Sequence, residues 1–87
     1  MQLKIKFFFF FKELAPSGNM TMHFDKNISI SELREALIEA LSETSDREKI
    51  KMLIADCALG NAEQVLRDDY LISESENLVL LPPVCGG

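Results

Sequence analysis

One helix start in the middle of the chain does most to limit how this sequence can fold. In the stretch ISISEL at residues 28–33, Ser29 and Glu32 have the spacing of a capping box, in which each side chain accepts a hydrogen bond from the other residue's backbone amide. Ile28 and Leu33 occupy the flanking hydrophobic-staple positions. The residues that follow predict a single apolar stripe, made of Ile30, Leu33, Leu37, Ala40 and Leu41. The outward positions are Glu32, Arg34, Glu35 and Glu39. A helix with one apolar face needs a sheet to cover it.

Two strand patterns precede this helix. Residues 3–11 are rich in apolar and aromatic side chains, and residues 16–19 are turn formers. Residues 20–24 alternate apolar and polar side chains, which is typical of a half-buried strand. Together these segments predict a β-hairpin at the start of the chain.

After the helix, polar segments alternate with short apolar runs. Residues 42–51 predict a solvated charged connector, which can include a short turn of helix, and residues 56–61 a loop. The predicted strands of this half are residues 51–55, residues 63–66 and residues 77–81. Leu71 and Ile72 are predicted to fill the core between polar turns. Because the last strand can return parallel to the first, the predicted fold class is α+β, a ubiquitin-like β-grasp roll with a mixed sheet and one main helix crossing it.

Size, charge and cysteine content limit the classes of function that this protein can have. With 87 residues and a net charge of −5, the chain is one domain, too small for a deep catalytic cleft and too acidic for a nucleic-acid partner. It has no run of about 18 apolar residues and no signal-peptide cleavage site, so we expect a cytoplasmic protein without a membrane partner. Cys57, Cys85 and His23 have no second ligand at metal-binding spacing, so we expect no metal and no bound cofactor.

The C-terminal stretch LLPPVCGG has the composition of a segment that leaves the body of the protein. Pro82 and Pro83 lack amide donors and hold an extended backbone, so they end strand pairing and project the tail outward. Six residues at roughly 3.3 Å each reach about 20 Å, which is enough to enter a neighbouring protein. We therefore predict a domain over residues 1–81 and a flexible functional tail over residues 82–87.

The two final glycines suit chemistry at the chain's end. Gly86 and Gly87 have no Cβ, so the backbone can pass through a channel too narrow for side chains. The sequence therefore predicts that Gly86 and Gly87 can present the end of the chain in a partner's active site.

Both ends of the sequence resemble one family. The tail is a hydrophobic pair, two prolines, a small apolar residue, a variable residue and two glycines, and it resembles that of the MoaD-type sulfur carriers, the small subunit of molybdopterin synthase. The first strand resembles this ubiquitin-like MoaD/ThiS family through Phe7, Phe8, Lys12, Glu13 and Leu14. The helix start resembles it through Ser29, Ile30, Leu33 and Arg34. The sequence departs from the family at Ser75, where a glycine is usual, and in the longer segment 56–67.

The resemblance implies a sulfur carrier of molybdenum cofactor biosynthesis that catalyses nothing itself. In such a system a ubiquitin-activating-like adenylyltransferase uses ATP to adenylate the Gly87 carboxylate. A sulfur donor, a desulfurase or a rhodanese-like protein, then converts it to a thiocarboxylate. The large subunit of molybdopterin synthase, where the catalytic residues are expected, uses this sulfur to build the dithiolene on a cyclic pyranopterin. The tail residues that would insert into the partner are Pro82, Pro83, Val84, Cys85 and Gly86.

Strand alternation adds a candidate partner surface. Alternate residues of the first and last strands point away from the helix, and in neighbouring strands they form an apolar patch beside the tail. The predicted interface consists of Phe8, Phe10, Val79 and Leu81. The inward residues of the same strands are Leu3, Ile5, Phe7, Phe9, Leu78 and Leu80. An exposed apolar patch favours a partner-binding role, and the alternative is that a loop covers it.

Other functions fit the same tail. A thiamin-type sulfur carrier and a ubiquitin-like protein modifier use similar carboxylate chemistry, and a β-grasp interaction module with incidental terminal glycines is the alternative from another class. Cys85 is interpreted as a small variable residue and not as a sulfur relay, because no His, Lys or Arg lies near it in sequence to activate the thiol.

Overall fold

The described part of the chain folds into a mixed sheet with two helices. The structure is a computed structural model that describes residues 1–7, 18–43 and 46–81. Its elements, in chain order, are β1 (Gln2–Phe7), β2 (Asn19–His23), β3 (Ile28–Ser29), α1 (Ile30–Leu41), α2 (Arg47–Asp56), β4 (Ala58–Gly60), β5 (Val65–Leu66), β6 (Leu71–Ile72) and β7 (Glu76–Leu81). Five strands form one sheet in the order β2-β1-β7-β4-β5, and β3 pairs with β6. The predicted α+β class is confirmed.

The pairing of β1 with its two neighbours agrees with the sequence pattern. β1 runs antiparallel to β2, as the predicted hairpin requires, and parallel to β7, with Ile5 beside Leu78. Gly18, which accepts a hydrogen bond from the Phe7 amide, has a φ of 80°, a conformation that favours glycine. The rest of the predicted first strand, residues 8–11, lies outside the described residues, as do residues 16 and 17 of the predicted turn.

The helix start has the predicted geometry. The Ser29 hydroxyl accepts from the Glu32 amide at 3.1 Å, and the Glu32 carboxylate accepts from the Ser29 amide at 3.0 Å, so the capping box is complete. These hydrogen bonds lower the pKa of Glu32 because they favour its charged form. Ile28 and Leu33, the predicted staple, are both buried.

One apolar core lies between the large sheet and α1. The inward residues predicted for β1 and β7 are buried wherever the structure describes them, namely Leu3, Ile5, Phe7, Leu78 and Leu80. The buried residues of α1 are Ile30, Leu33, Leu37, Ile38 and Leu41. Ala40, which the stripe included, is only partly buried. Ile38 is buried because it lies one turn after Arg34, on the side of α1 that packs against α2.

The segment after α1 is helical where the sequence pattern predicted a strand. The predicted strand at residues 51–55 is wrong, because these residues belong to α2, which also takes up part of the predicted connector. Asp46 begins the helix, and its carboxylate accepts from the Glu48 amide at 2.9 Å. Ile50 and Ile54 lie one turn apart and are both buried. The apolar residues of this segment are compatible with a strand or with a helix. The helix is favoured because it buries one face against α1.

The predicted loop over residues 56–61 is also partly wrong, because it contains β4. The turn that follows β4 is built by Asn61, whose side-chain oxygen accepts from the amides of Glu63 and Gln64, each at 2.9 Å. The chain then returns as β5, which confirms the last two residues of the predicted return strand.

The prediction for Leu71 and Ile72 is half correct. Ile72 is fully buried and pairs with Ile28, whereas Leu71 is 55% exposed. The two residues form the short strand β6, and successive side chains of a strand point to opposite faces. Only one of them can therefore reach the core.

Arg34, predicted to point outward, instead joins three parts of the chain. Its Nη1 donates to the Ile54 carbonyl of α2 at 2.6 Å, and its Nε donates to the Asp68 carboxylate at 3.0 Å. The Asp68 carbonyl in turn accepts from the Ser31 amide at 3.0 Å. Only 17% of the Arg34 side chain is exposed, so little solvent screens these charged hydrogen bonds.

We expect Arg34→Ala to lower the free energy of unfolding by about 1.5–3 kcal/mol, because it removes hydrogen bonds of a partly buried charge. Arg47→Ala is the matched control. Arg47 pairs with Glu39 at 2.6 Å, but both side chains are more than half exposed, so its loss should lower stability by only about 0–1 kcal/mol. Urea denaturation followed by circular dichroism measures both values. Equal losses would show that Arg34 does not join the elements as described.

Cys57 ends α2 as a buried and protonated thiol. It is 4% exposed, and its Sγ donates to the Leu53 carbonyl at 2.8 Å. Burial raises the pKa of the Cys57 thiol to about 11, an effect that Asp56 reinforces and Arg34 opposes. The thiolate is the reactive form of cysteine, so Cys57 is a structural residue and not a nucleophile.

This environment predicts slow alkylation of Cys57. In a Cys85→Ser background, iodoacetamide should modify the native protein at least about tenfold more slowly than the urea-unfolded protein, because both access and thiolate content are reduced. Peptide mass spectrometry against time measures the two rates. Similar rates in the two states would contradict the buried position.

The raised pKa also predicts a pH dependence of stability. The unfolded thiol ionises near its ordinary pKa of 9.0 and the folded one near 11. Stability from this group is therefore complete below about pH 9 and is lost as the pH rises toward 11. Urea denaturation across this window should show a shallower decline for Cys57→Ala than for the parent. Parallel curves would contradict the assignment.

Candidate functional site

The candidate site is the face of the five-stranded sheet that points away from the buried core, which we call the outer face. Paired residues of neighbouring strands share a face, and β1 buries its alternate residues, so the register identifies the opposite set. The described outer-face positions are Gln2, Lys4, Lys6, Asn19, Thr21, His23, Ala58, Gly60, Val65, Asn77, Val79 and Leu81.

The structure describes two of the four predicted interface residues. Val79 and Leu81 lie on the outer face of β7 and are partly exposed. Phe8 and Phe10 lie outside the described residues. The patch as a whole, and its role in binding a partner, therefore stay predictions.

Sequence reasoning missed the apolar residues that β4 and β5 add to this face. Ala58 pairs with Leu81, and Val65, which is 60% exposed, pairs with Gly60 beside Val79. These positions were missed because β4 has only three residues, which is too few for an alternating pattern to be recognised. The apolar part of the outer face therefore continues across three adjacent strands.

Gly60 allows a close approach between β4 and the turn after it. A Cβ at this position would lie 2.8 Å from the Gln64 carbonyl oxygen and 3.3 Å from the Val65 Cα. A larger residue would push the turn away, so glycine fits here for steric reasons. Because Gly60 has no side chain, none projects from the outer face between Val79 and Val65.

The strand that precedes the tail is hydrogen-bonded to a neighbour on each side. β7 lies between β1 and β4, and its last residue, Leu81, pairs with Ala58. The predicted tail residues Pro82, Pro83, Val84, Cys85, Gly86 and Gly87 lie outside the described residues, so their insertion and the division at residue 81 stay predictions. Whatever the tail does, the strand before it is hydrogen-bonded on both sides.

Among the residues that the structure describes, the remaining reactive side chains do not assemble a second site. His23 is exposed on β2, an edge strand of the five-stranded sheet, whereas Cys57 is buried in the core. Across residues 1–7, 18–43 and 46–81, no cluster of three or more His, Cys, Asp or Glu side chains is placed to hold a metal ion. In the same part of the chain, neither helix has the length and hydropathy needed to cross a membrane.

Comparison with known proteins identifies the fold. No protein-family model and no curated protein matches the sequence. Among solved structures, SAMP1 from Haloferax volcanii superposes with a TM-score of 0.72 at 20% identity, covering 100% of both chains. A second structure, described as H. volcanii small archaeal modifier protein 1, gives 0.72 at 19% identity over 95% of this chain and 98% of that one. A proposed molybdopterin converting factor, subunit 1, from Pyrococcus furiosus gives 0.70 at 20% identity, over 97% and 99%.

These structures are ubiquitin-like β-grasp proteins, and the superpositions extend over nearly the whole of each chain. The shared features are a mixed sheet and a helix packed on one face of it, as the strand order and core of this chain also show. The chain therefore has the ubiquitin-like β-grasp fold.

Proposed function

We propose that this protein is a sulfur carrier of molybdenum cofactor biosynthesis. The observation that supports the proposal most is the position of β7, an interior strand that ends at Leu81 directly before the sequence PPVCGG. A strand held on both sides gives the tail a fixed origin, and the outer face beside it offers apolar contacts to a partner. The P. furiosus structure described as a proposed molybdopterin converting factor subunit has the same fold.

The chemistry takes place on the Gly87 carboxylate and is catalysed by partners. An adenylyltransferase joins the carboxylate to the AMP part of ATP, releasing pyrophosphate. The outer sulfur of a persulfide on a desulfurase or rhodanese-like donor attacks the acyl-adenylate and displaces AMP, which joins carrier and donor through an acyl disulfide. A thiol then cleaves the sulfur–sulfur bond, so that the outer sulfur stays on Gly87 as a thiocarboxylate and the donor sulfur forms a disulfide with that thiol. The large subunit of molybdopterin synthase then directs this sulfur to the cyclic pyranopterin. The carrier supplies a docking surface and a narrow tail, and it binds no cofactor in this scheme.

A ubiquitin-like protein modifier is the second candidate. It is favoured by the two similar structures from H. volcanii, one of which is described as a small archaeal modifier protein. The first step, adenylation of the Gly87 carboxylate, is common to both functions. The products differ, because a modifier ends as an amide on a lysine of another protein, whereas a carrier ends as a thiocarboxylate. A thiamin-type carrier differs only in the recipient of the sulfur.

Intact-mass spectrometry distinguishes these outcomes. After incubation with ATP, the adenylyltransferase and a sulfur source, we expect one oxygen of the chain to be replaced by sulfur at Gly87. A variant lacking Gly86 and Gly87 should form no product but keep a cooperative melt, because these residues follow the last strand. Cys85→Ser should form product at a rate within a few fold of the parent. Covalent attachment to other proteins without thiocarboxylate would favour the modifier, and no reaction at all would favour an interaction module.

We expect Leu81→Asp to weaken binding to the large subunit of molybdopterin synthase by at least about tenfold, because a charge would be placed in the apolar centre of the contact. Met52→Asp is the matched control, since Met52 is 70% exposed on α2, away from the outer face. Isothermal titration calorimetry measures both affinities, and thermal melts confirm folding. Equal affinities for the two folded variants would remove the outer face from the proposal.

A further inference from the structure

The charges of this protein are divided unevenly between its faces. The chain has 14 acidic and 9 basic residues, yet none of the described outer-face positions of the large sheet holds an Asp or Glu. The charged residues placed there are Lys4 and Lys6. In contrast, α1 exposes Glu32, Glu35 and Glu39 on the other side of the molecule. Every described Asp and Glu therefore lies at a position other than these outer-face positions.

Lys4 is the clearest example of this arrangement. Its neighbours across the sheet are Thr21 on β2 and Asn77 on β7, which are both neutral. Glu76, which lines the same open groove as Lys4, has its carboxylate bonded to the Asn61 amide group at 3.3 Å. No ion pair with Lys4 occurs among the described residues. Lys4 is exposed, on a face whose described positions hold no Asp or Glu.

We propose that the protein which binds the outer face carries carboxylates opposite Lys4, next to an apolar area that covers Val79 and Leu81. An acidic partner is repelled by the exposed carboxylates of α1 and attracted to the outer face, where Lys4 is exposed and none of the described positions holds an Asp or Glu. The electrostatic field of this chain therefore orients the partner before contact. Burial of the apolar surface at Val79 and Leu81 then stabilises the complex. Lys4 pairs with Asn77, which lies four residues before Leu81 on β7. At roughly 3.3 Å per strand residue, the acidic area of the partner therefore lies about 13 Å from the point where the tail begins.

This inference rests on the proposed function for the identity of the partner, but its charge argument stands on the sheet alone. The first test compares association rates of the parent, Lys4→Glu and Lys51→Glu with the large subunit of molybdopterin synthase by stopped flow. Lys51 is exposed on α2, so its variant makes the same change in net charge on another face. We expect Lys4→Glu to slow association about threefold to tenfold at low salt, Lys51→Glu to have a smaller effect, and the difference to vanish at high salt.

Equal slowing by the two variants would overturn the proposal, and so would faster association of Lys4→Glu. Should the parent not bind the large subunit, the proposed partner is wrong, and a peptide of alternating Glu and Leu then tests the surface itself by nuclear magnetic resonance. The inference predicts that the Glu and Leu peptide shifts the amide signals of Lys4, Thr21 and Val79. These shifts should be absent in Lys4→Glu, and a peptide of alternating Lys and Leu should not produce them. Absence of those shifts, or equal shifts with both peptides, would refute it.

Discussion

The parallel pairing of β1 with β7 is the constraint on which the rest of the structure depends. It places residues 3–7 beside residues 76–80, and it brings the two longest strands of the sheet together. Parallel neighbours cannot be joined by a tight turn, so the chain between them must cross one face of the sheet. α1 makes this crossing, and its apolar stripe covers the inward residues of both strands. The Gln2 amide also donates to the Ser75 hydroxyl at 2.8 Å, which holds the starts of the two strands together.

The same pairing separates the two faces of the sheet. Helical residues cover one face, so the alternate residues of β1 and β7 on that side are buried, while their neighbours in sequence lie on the outer face. Because β4 pairs on the far side of β7, the strand that precedes the tail is interior to the sheet. A strand that is hydrogen-bonded on both sides thus precedes the segment of residues 82–87.

The segment between α1 and β7 is stabilised in a different way. Its elements are short, and polar contacts join them to α1: Arg34 bonds to the end of α2 and to Asp68, and the Ile30 amide donates to the Tyr70 carbonyl at 3.0 Å. Cys57 and Ile72 close the core beneath them. These long-range contacts hold a segment whose local sequence has no strong structural preference. Stability in this half of the molecule therefore depends on tertiary contacts more than on secondary-structure propensity.

The sequence by itself determined the features that depend on neighbouring residues. The capping box at Ser29 and Glu32 and the alternation in β1 and β7 are local patterns that were predicted correctly where the structure describes them. The stripe of α1 was also predicted correctly, except that it included the partly buried Ala40 and missed Ile38. The chemistry assigned to the terminal sequence LLPPVCGG stays a prediction, because residues 82–87 lie outside the described residues. Only the tertiary structure decided that residues 51–55 are helical, that β4 exists and that Arg34 is partly buried. These features depend on which elements pack together, because a mostly apolar segment of five residues or a strand of three has no periodicity long enough to choose between alternatives.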